Sequence, residues 1–333
     1  MTTLVPRAEF PASPHSRILG VGAYRPHRVV PNSELVDAID STDEWIQQRS
    51  GIRERRFAGP DETVASMSVA AAEQALERAG LTAGDVDAVI VATVTHALQT
   101  PALAPIVANA LGCPTPAAFD VAAACAGFCH GIALANDLVR CGSARHVLVI
   151  GVEKLTDFLD LEDRGTAFIF ADGAGAAVVG PSDTPAIGPV VWGSDGEKFD
   201  LIIADWNEVD DEAGAFPPIR MQGAEVFRWA SFAMAKVAHE AIDRAGITVD
   251  DLDCFVPHQA NMRITDAMAR AIKLPTKVRI ARDIAEQGNT SAASVPLALA
   301  RMYDDGDARS GDLALLIAFG AGLAYAAQVV VLP

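Results

Sequence analysis

The chain has 333 residues, half of them apolar and only 6% aromatic, and 26 Lys and Arg face 43 Asp and Glu for a formal net charge of −17 at pH 7. That length supplies one large core or two fused units of about 150 residues each. The acidity argues against nucleic acid or an anionic membrane as the main partner, because both carry the same sign of charge.

Residues 1–16 hold three prolines and no apolar h-region, which predicts a loose arm and not a signal peptide. Five cysteines (113, 125, 129, 141 and 254) are an odd number and point to a reducing cytosol, not a disulfide framework. Gly20-Val21-Gly22 is too incomplete for a dinucleotide fingerprint. Residues 72–87 predict a helix, a glycine stop at Gly80 and a polar turn, with a strand following over 88–94. Residues 120–128 then predict strand, turn and helix, placing Cys125 at the start of a buried helix. Unpaired N–H groups and the positive end of the helix dipole favour thiolate there. Cys129 follows at i+4 with no second pair to build a metal site, and belongs to the core.

Residues 238–253 repeat residues 72–87 with 8 identities in 16 positions, at an offset of 166, half the chain. Duplication of one α/β unit is the economical explanation. An offset of 164 carries Cys125 onto Asn289, and an offset near 166 carries the loop after strand 88–94 onto Pro257-His258-Gln259-Ala260-Asn261. Equivalent loops of a twofold-related fold converge, so Cys125, His258 and Asn289 are expected to share one site. Residues 313–333 contain a single strongly polar side chain, Gln328, and are long enough to span a membrane. The β-branched run at 329–331 and the lack of a flanking basic residue favour two buried strands instead, 313–319 and 323–332, around Gly320-Ala321-Gly322.

A thiol, an imidazole and a carboxamide suit two chemistries. In a cysteine hydrolase the histidine is a base that the asparagine orients. In a decarboxylating condensation the cysteine carries an acyl group while histidine and asparagine donate to an enolate oxygen. Spacing alone does not choose between them.

The local sequences do. Residues 120–128, His258-Gln259-Ala260-Asn261-Met262-Arg263-Ile264 and residues 288–296 together resemble β-ketoacyl-acyl-carrier-protein synthase III, a condensing enzyme of the thiolase-like superfamily. Further matches lie at 41–53, at Asp163-Arg164-Gly165-Thr166 and at Phe319-Gly320-Ala321-Gly322. The resemblance runs from residue 17 to the end. It implies a five-layered αβαβα sandwich of two duplicated halves, 17–180 and 181–333, and a cytoplasmic homodimer. It implies that Cys125 takes an acyl group from acyl-CoA, with the backbone N–H groups of Cys125 and Ala321 as oxyanion hole. His258 and Asn289 then stabilise the enolate of malonyl-acyl-carrier protein as CO2 departs. Acyl-CoA is a substrate; no permanently bound cofactor is implied.

By the same resemblance Trp45 and Arg164 take the adenine of CoA, Arg49 its phosphates, and Asn261 supports this region or His258. A stacked, positively charged mouth suits an adenine nucleotide. An acidic carrier protein must dock on a local basic face of this acidic chain. Residues 263–282 hold six cations against Asp266 alone. Arg263 and Arg270 match the family's docking helix, and Arg228 lies at another basic docking position. Thr100 falls where the family closes the far end of the acyl pocket, across the dimer interface, and is small enough to admit branched or longer primers. The chain departs from the family at Ala171 and Ala321, where glycine is usual, and by a shorter segment at 193–220 with the acidic run 205–212. The alternative within the resemblance is a secondary-metabolism (polyketide) priming synthase or acyltransferase using the same acyl-cysteine.

Overall fold

In the computed structural model, which describes residues 10–209 and 216–333, the chain forms two five-stranded sheets with the same plan, beside two small two-stranded ones. The first half contributes β1 (His15–Tyr24), α1 (Asp43–Ser50), α2 (Val64–Ala79), β2 (Ala88–Ala92), α3 (Leu103–Leu111), β3 (Ala117–Val121), α4 (Gly127–Cys141), β4 (Val147–Lys154) and β5 (Asp172–Ser182). The second contributes β6 (Val191–Ser194), α5 (Gly223–Arg244), β7 (Cys254–Pro257), α6 (Met262–Ala271), β8 (Arg279–Ile280), α7 (Ile284–Gln287), α8 (Ser294–Asp304), β9 (Leu313–Gly320) and β10 (Ala324–Val331). Sheet order is β1-β5-β4-β2-β3 and β6-β10-β9-β7-β8. In each sheet three strands run parallel at one side, and two antiparallel strands complete the other.

The repeated segment holds down to single hydrogen bonds. Gly80 at φ 67° and Gly246 at φ 73° follow α2 and α5 in the left-handed region that suits glycine. In the polar turns after them, Asp85 Oδ2 accepts from Thr82 N (2.9 Å) and Oγ1 (2.7 Å), and Asp251 Oδ2 accepts from Thr248 N (2.8 Å) and Oγ1 (2.7 Å). Each turn delivers the chain to the strand beside the parallel edge of its sheet, β2 or β7.

Burial explains the layers. The inner faces of both sheets close on α4 and α8, where Phe128, Ile132 and Val139 meet Val295, Leu299 and Met302. The outer face of the first sheet (Val89, Val91, Leu148 and Ile150) is covered by α2 and α3. That of the second (Phe255, Leu315, Ile317 and Val329) is covered by α5 and α6. The result is an αβαβα sandwich whose strands, buried on both faces, are near-continuous apolar runs. β9 and β10 account for the apolar C-terminal stretch, paired antiparallel from Leu313↔Val331 to Gly320↔Ala324. Among the described residues no helix is long and apolar enough to cross a membrane.

One expectation from the repeat needs correcting. Cys125 sits in a single 3-10 turn, Ala124–Ala126, ahead of α4, and the matching turn ahead of α8 is Ser291–Ala293. Both begin on a residue with positive φ, Ala124 at 45° and Ser291 at 48°. The counterpart of Cys125 is therefore Ala292; Asn289 lies three residues before it. The offset grows because α7, between edge strand β8 and the turn, has no partner between β3 and Cys125.

Candidate active site

The two matching turns cross. The turn of Cys125 packs against β9 of the second sheet, the turn of Ser291 packs against β4 of the first, and the turns touch each other. Gly320, the last residue of β9, passes directly over the thiol. A Cβ there would stand 2.6 Å from the Cys125 nitrogen and 3.1 Å from Sγ, so only glycine fits. Ala321 follows with ordinary helical dihedrals, while Gly322 adopts φ 117°. The alanine thus occupies a position that tolerates a side chain, and the left-handed position keeps its glycine.

Cys125 is buried. Burial pushes its thiol up to about 12; a hydrogen bond from Ser291 opposes this and the neighbouring Glu153 charge adds to it. Desolvation in the closed pocket thus works against the pull of the helix start toward thiolate.

His258 follows β7, 2% exposed, its backbone N–H donating to Ile317 O (2.7 Å) and its ring edge-on to Phe319 at 5.5 Å. Burial lowers its pKa to about 3, so the ring is neutral. Nδ1 lies 2.6 Å from Ser294 Oγ, which also accepts from Gln259 N at 3.3 Å. Among the described residues Nδ1 is the acceptor that the Ser294 proton meets, and a ring that accepts it at Nδ1 carries its own proton on Nε2. Asn289 is held by backbone bonds to both flanks of Phe170: its N–H donates to Ile169 O, and its carbonyl accepts from Ala171 N, each 2.9 Å. Its side-chain Oδ1 accepts from Ser291 N (2.9 Å), which turns Nδ2 outward as a donor. His258 and Asn289 are therefore two neutral donors whose polarity is fixed by their supports.

Cys125, His258, Asn289 and Ala321 line one cavity of about 670 Å³, with Trp45, Arg49, Arg164, Asn261 and Arg263 toward its mouth. Arg164 lies 4.8 Å and Arg49 5.6 Å from the Trp45 ring centroid. With Arg164 already on the tryptophan face, an aromatic base enters between them only if Arg164 swings away. Asn261 has both ends of its carboxamide committed: Oδ1 caps α6 at Arg263 N and Nδ2 donates to Arg49 O, each 2.9 Å. Its place in the site is to tie α1 to α6. Residues 202–204, Trp206, Pro217 and Ile219 from the 193–220 segment, with Met221 just after it, form one wall. Asp210, Asp211 and Glu212 of the acidic run, and residues 1–9 of the arm, lie outside the described residues.

Thr100, Arg228 and Arg270 are not in this cavity. Thr100 is exposed on the loop between β2 and α3, outside the cavity of a single chain. Arg228 is paired with Glu225 (2.9 Å) and lines a separate surface depression with Lys198, Phe232 and Lys236. Arg263 covers the Phe227 ring at 5.0 Å, and Arg270 is exposed in the last turn of α6. Of the six local cations, Arg279 and Arg282 are committed to Asp312 and Asp266, each at 2.7 Å. Among the described residues no cluster of three or more His, Cys, Asp or Glu is arranged to hold a metal.

Sequence reasoning missed Ser294, Ser291 and Glu153. The two serines stand inside the motif that carries Asn289, where they pass for filler. Glu153 had a signal of its own, a lone carboxylate at the end of the apolar run Val147–Lys154.

The comparisons agree with this geometry. Residues 119–196 match the family described as 3-oxoacyl-[acyl-carrier-protein] synthase III, and residues 242–332 its C-terminal region. The β-ketoacyl-[acyl-carrier-protein] synthase III 1 of Streptomyces coelicolor is 58% identical over 96% of this chain and 97% of its own. A mycobacterial β-ketoacyl-[acyl-carrier-protein] synthase III from Mycobacterium marinum is 54% identical over 95% of each. Among solved structures, the priming β-ketosynthase of the R1128 polyketide biosynthetic pathway superposes with a TM-score of 0.94 at 49% identity, covering 98% of this chain and 99% of that one. The 3-oxoacyl-(acyl carrier protein) synthase III of Pseudomonas aeruginosa gives 0.89 at 39%, covering 96% and 98%. With both family regions, relatives matched over nearly their whole length and the two-sheet sandwich in common, this chain belongs to the β-ketoacyl-acyl-carrier-protein synthase III family of thiolase-like condensing enzymes.

Proposed function

We propose that this chain primes chain elongation by a two-stage decarboxylative condensation of an acyl-CoA with malonyl-acyl-carrier protein. In the first stage Cys125 attacks the acyl-CoA thioester, the N–H groups of Cys125 and Ala321 receive the oxyanion, and CoA leaves. In the second, malonyl-acyl-carrier protein enters. Nε2–H of His258 and Nδ2–H of Asn289 donate to its thioester oxygen as CO2 departs. The resulting carbanion attacks the acyl-Cys125 carbonyl and releases β-ketoacyl-carrier protein. The observation that carries this reading is the fixed polarity of the two donors beside a buried thiol. A hydrolase needs a basic imidazole to activate its nucleophile, whereas a neutral N–H donor suits negative charge growing on oxygen.

Trp45, Arg49 and Arg164 hold the CoA nucleotide, with Arg164 closing over the base, and Asn261 positions Arg49. Arg228, Arg263 and Arg270 face the acidic carrier protein. Two subunits join along edge strand β3, and Thr100 of one then limits the acyl pocket of the other. All five cysteines are free, in keeping with a cytosolic setting. A polyketide-priming role is the second reading; what favours it is the 0.94 TM-score to a polyketide priming ketosynthase.

Mass spectrometry after incubation with acetyl-CoA should place one acetyl group on Cys125. Malonyl-carrier protein should then release CO2 and β-ketoacyl product. Cys125→Ser should nearly abolish the first stage. Asn289→Ala should spare it and slow CO2 release by about 10²–10³-fold. Acylation without any decarboxylation would reject the condensing role. Rates with acetyl-, isobutyryl- and longer acyl-CoA read the primer, and a strong preference for acetyl would remove the part given to Thr100.

A further inference from the structure

Glu153 has no part in the chemistry above, yet it lies beneath the nucleophile. It is fully buried on β4. Its Oε2 accepts from Thr95 Oγ1 (2.7 Å), Val94 N (3.0 Å) and Thr93 Oγ1 (3.2 Å) on the loop after β2. Thr95 Oγ1 itself accepts from Lys154 N (2.9 Å), which commits its one proton to Glu153. The other oxygen, Oε1, is buried with no hydrogen-bond partner within the distance limit. The turn of Ser291 packs against β4 and touches the turn of Cys125, and the Ser291 hydroxyl pulls the pKa of both this carboxyl and the Cys125 thiol down. A buried carboxylate oxygen without a donor is costly, and so is a buried thiol that must ionise with no acceptor. His258 does not supply that acceptor, because its open nitrogen already carries a proton.

We propose that Glu153, acting through the Ser291 hydroxyl, takes up the Cys125 proton during acylation and returns it to the departing CoA. This rests on the acyl-cysteine reading above. As sulfur attacks the thioester carbon, the S–H proton passes to Ser291 Oγ while the Ser291 proton passes to Glu153 Oε1. When the tetrahedral intermediate breaks its bond to CoA, the proton returns along the same path to the CoA sulfur. One thiol and one thioester are consumed and one of each is formed, so no other reactant is required. In the condensation stage the sulfur is acylated and has no proton to lose, so Glu153 is silent there.

The surroundings suit a group that changes protonation state near neutrality. Burial pushes its carboxyl up to about 7, against the lowering effect of Thr95, Val94, Ser291 and Thr93. Cys125 is the titratable group facing it from the opposite turn. Lys154 turns away to Gly59 O and Asp157, Asp172 of β5 is held by Ala58 and Thr156, and His96 is bonded to Pro101 O.

The test is the rate of Cys125 acetylation by acetyl-CoA from pH 5.5 to 9 in the full chain, followed by quenching and mass spectrometry. Single-turnover CO2 release after complete acylation is measured in parallel. Wild type should acylate faster as pH rises through about 7. Glu153→Gln should acylate about 100-fold more slowly at pH 7, lose that limb, and keep its rate of CO2 release once loaded. Glu153→Asp should recover part of the acylation rate. Acylation by Glu153→Gln at the wild-type rate or faster, which is the outcome if the carboxylate merely repels a thiolate, would overturn the proposal. So would an equal loss of both stages. Should Glu153→Gln fail to fold, Ser291→Ala decides: slow acylation is expected, and an unchanged rate overturns the relay. Failure of wild type itself to acylate at Cys125 would remove the functional reading, a result distinct from any of these.

Discussion

The donor role proposed for His258 follows from what surrounds it: Ser294 beneath Nδ1, Phe319 at its edge and near-complete burial. Its depressed pKa gives a sign to the acid behaviour of the protein. The folded state refuses a proton that the unfolded chain accepts below its ordinary value of 6.5. The stability from a neutral His258 is therefore intact above pH 6.5. It falls by up to about 1.4 kcal/mol per pH unit down to about 3. Glu153 has the opposite sign: its protonated form is stabilising, fully so below 4.5, and that contribution is lost as pH rises through about 7. Chemistry and stability should then separate. Single-turnover CO2 release by acyl-loaded protein is expected to stay flat from pH 8 to about 5. An acid limb at 6–7 would mean that His258 is charged in the working site.

At the scale of elements, the site depends on how close β9 can come to the turn before α4. Gly320→Ala puts a methyl group within 2.6 Å of the Cys125 backbone and 3.1 Å of its sulfur, so strand or turn must shift. The expected cost is about 1–3 kcal/mol of overpacking and at least a tenfold loss of Cys125 acylation, read by denaturant melts and mass spectrometry. Gly196→Ala, with nothing within 4 Å of its added carbon, is the matched control and should change neither.

At the scale of the molecule, the two sheets manage their parallel edges differently. β8 is two residues long and its Arg279 is tied to Asp312. β3 is five residues long and presents Ala117 and Phe119, with Val94 and Leu98 of the neighbouring loop also exposed. An unpaired apolar edge of this kind invites another strand. Light scattering should give twice the chain mass for wild type, and Phe119→Lys should shift it to one chain.

Much of this was legible in the sequence for identifiable reasons. The repeat is written in glycines and Thr-Asp turns that only one backbone path satisfies, and the nucleophile, imidazole and carboxamide each sit in a distinctive motif. The true counterpart of Cys125 was not legible, because α7 shifts the register without leaving a mark in composition. Nor was the state of the thiol, since desolvation depends on what the distant β9 and Ser291 turn bring over it. Glu153 escaped notice because its partners, Thr93, Thr95 and Ser291, are remote in the chain or unremarkable in type.

The crossed turns have a consequence for the order in which the protein is made. The turn of Cys125 is covered by a strand that begins at Leu313, and β4 is covered by a turn that begins at Ser291. Until the last tenth of the chain has left the ribosome and docked, the future nucleophile is an open, ordinary thiol on an incomplete half. Its accessibility to a thiol reagent is therefore a clock for the final assembly of the two halves, and the fold acquires its chemistry only at that closing step.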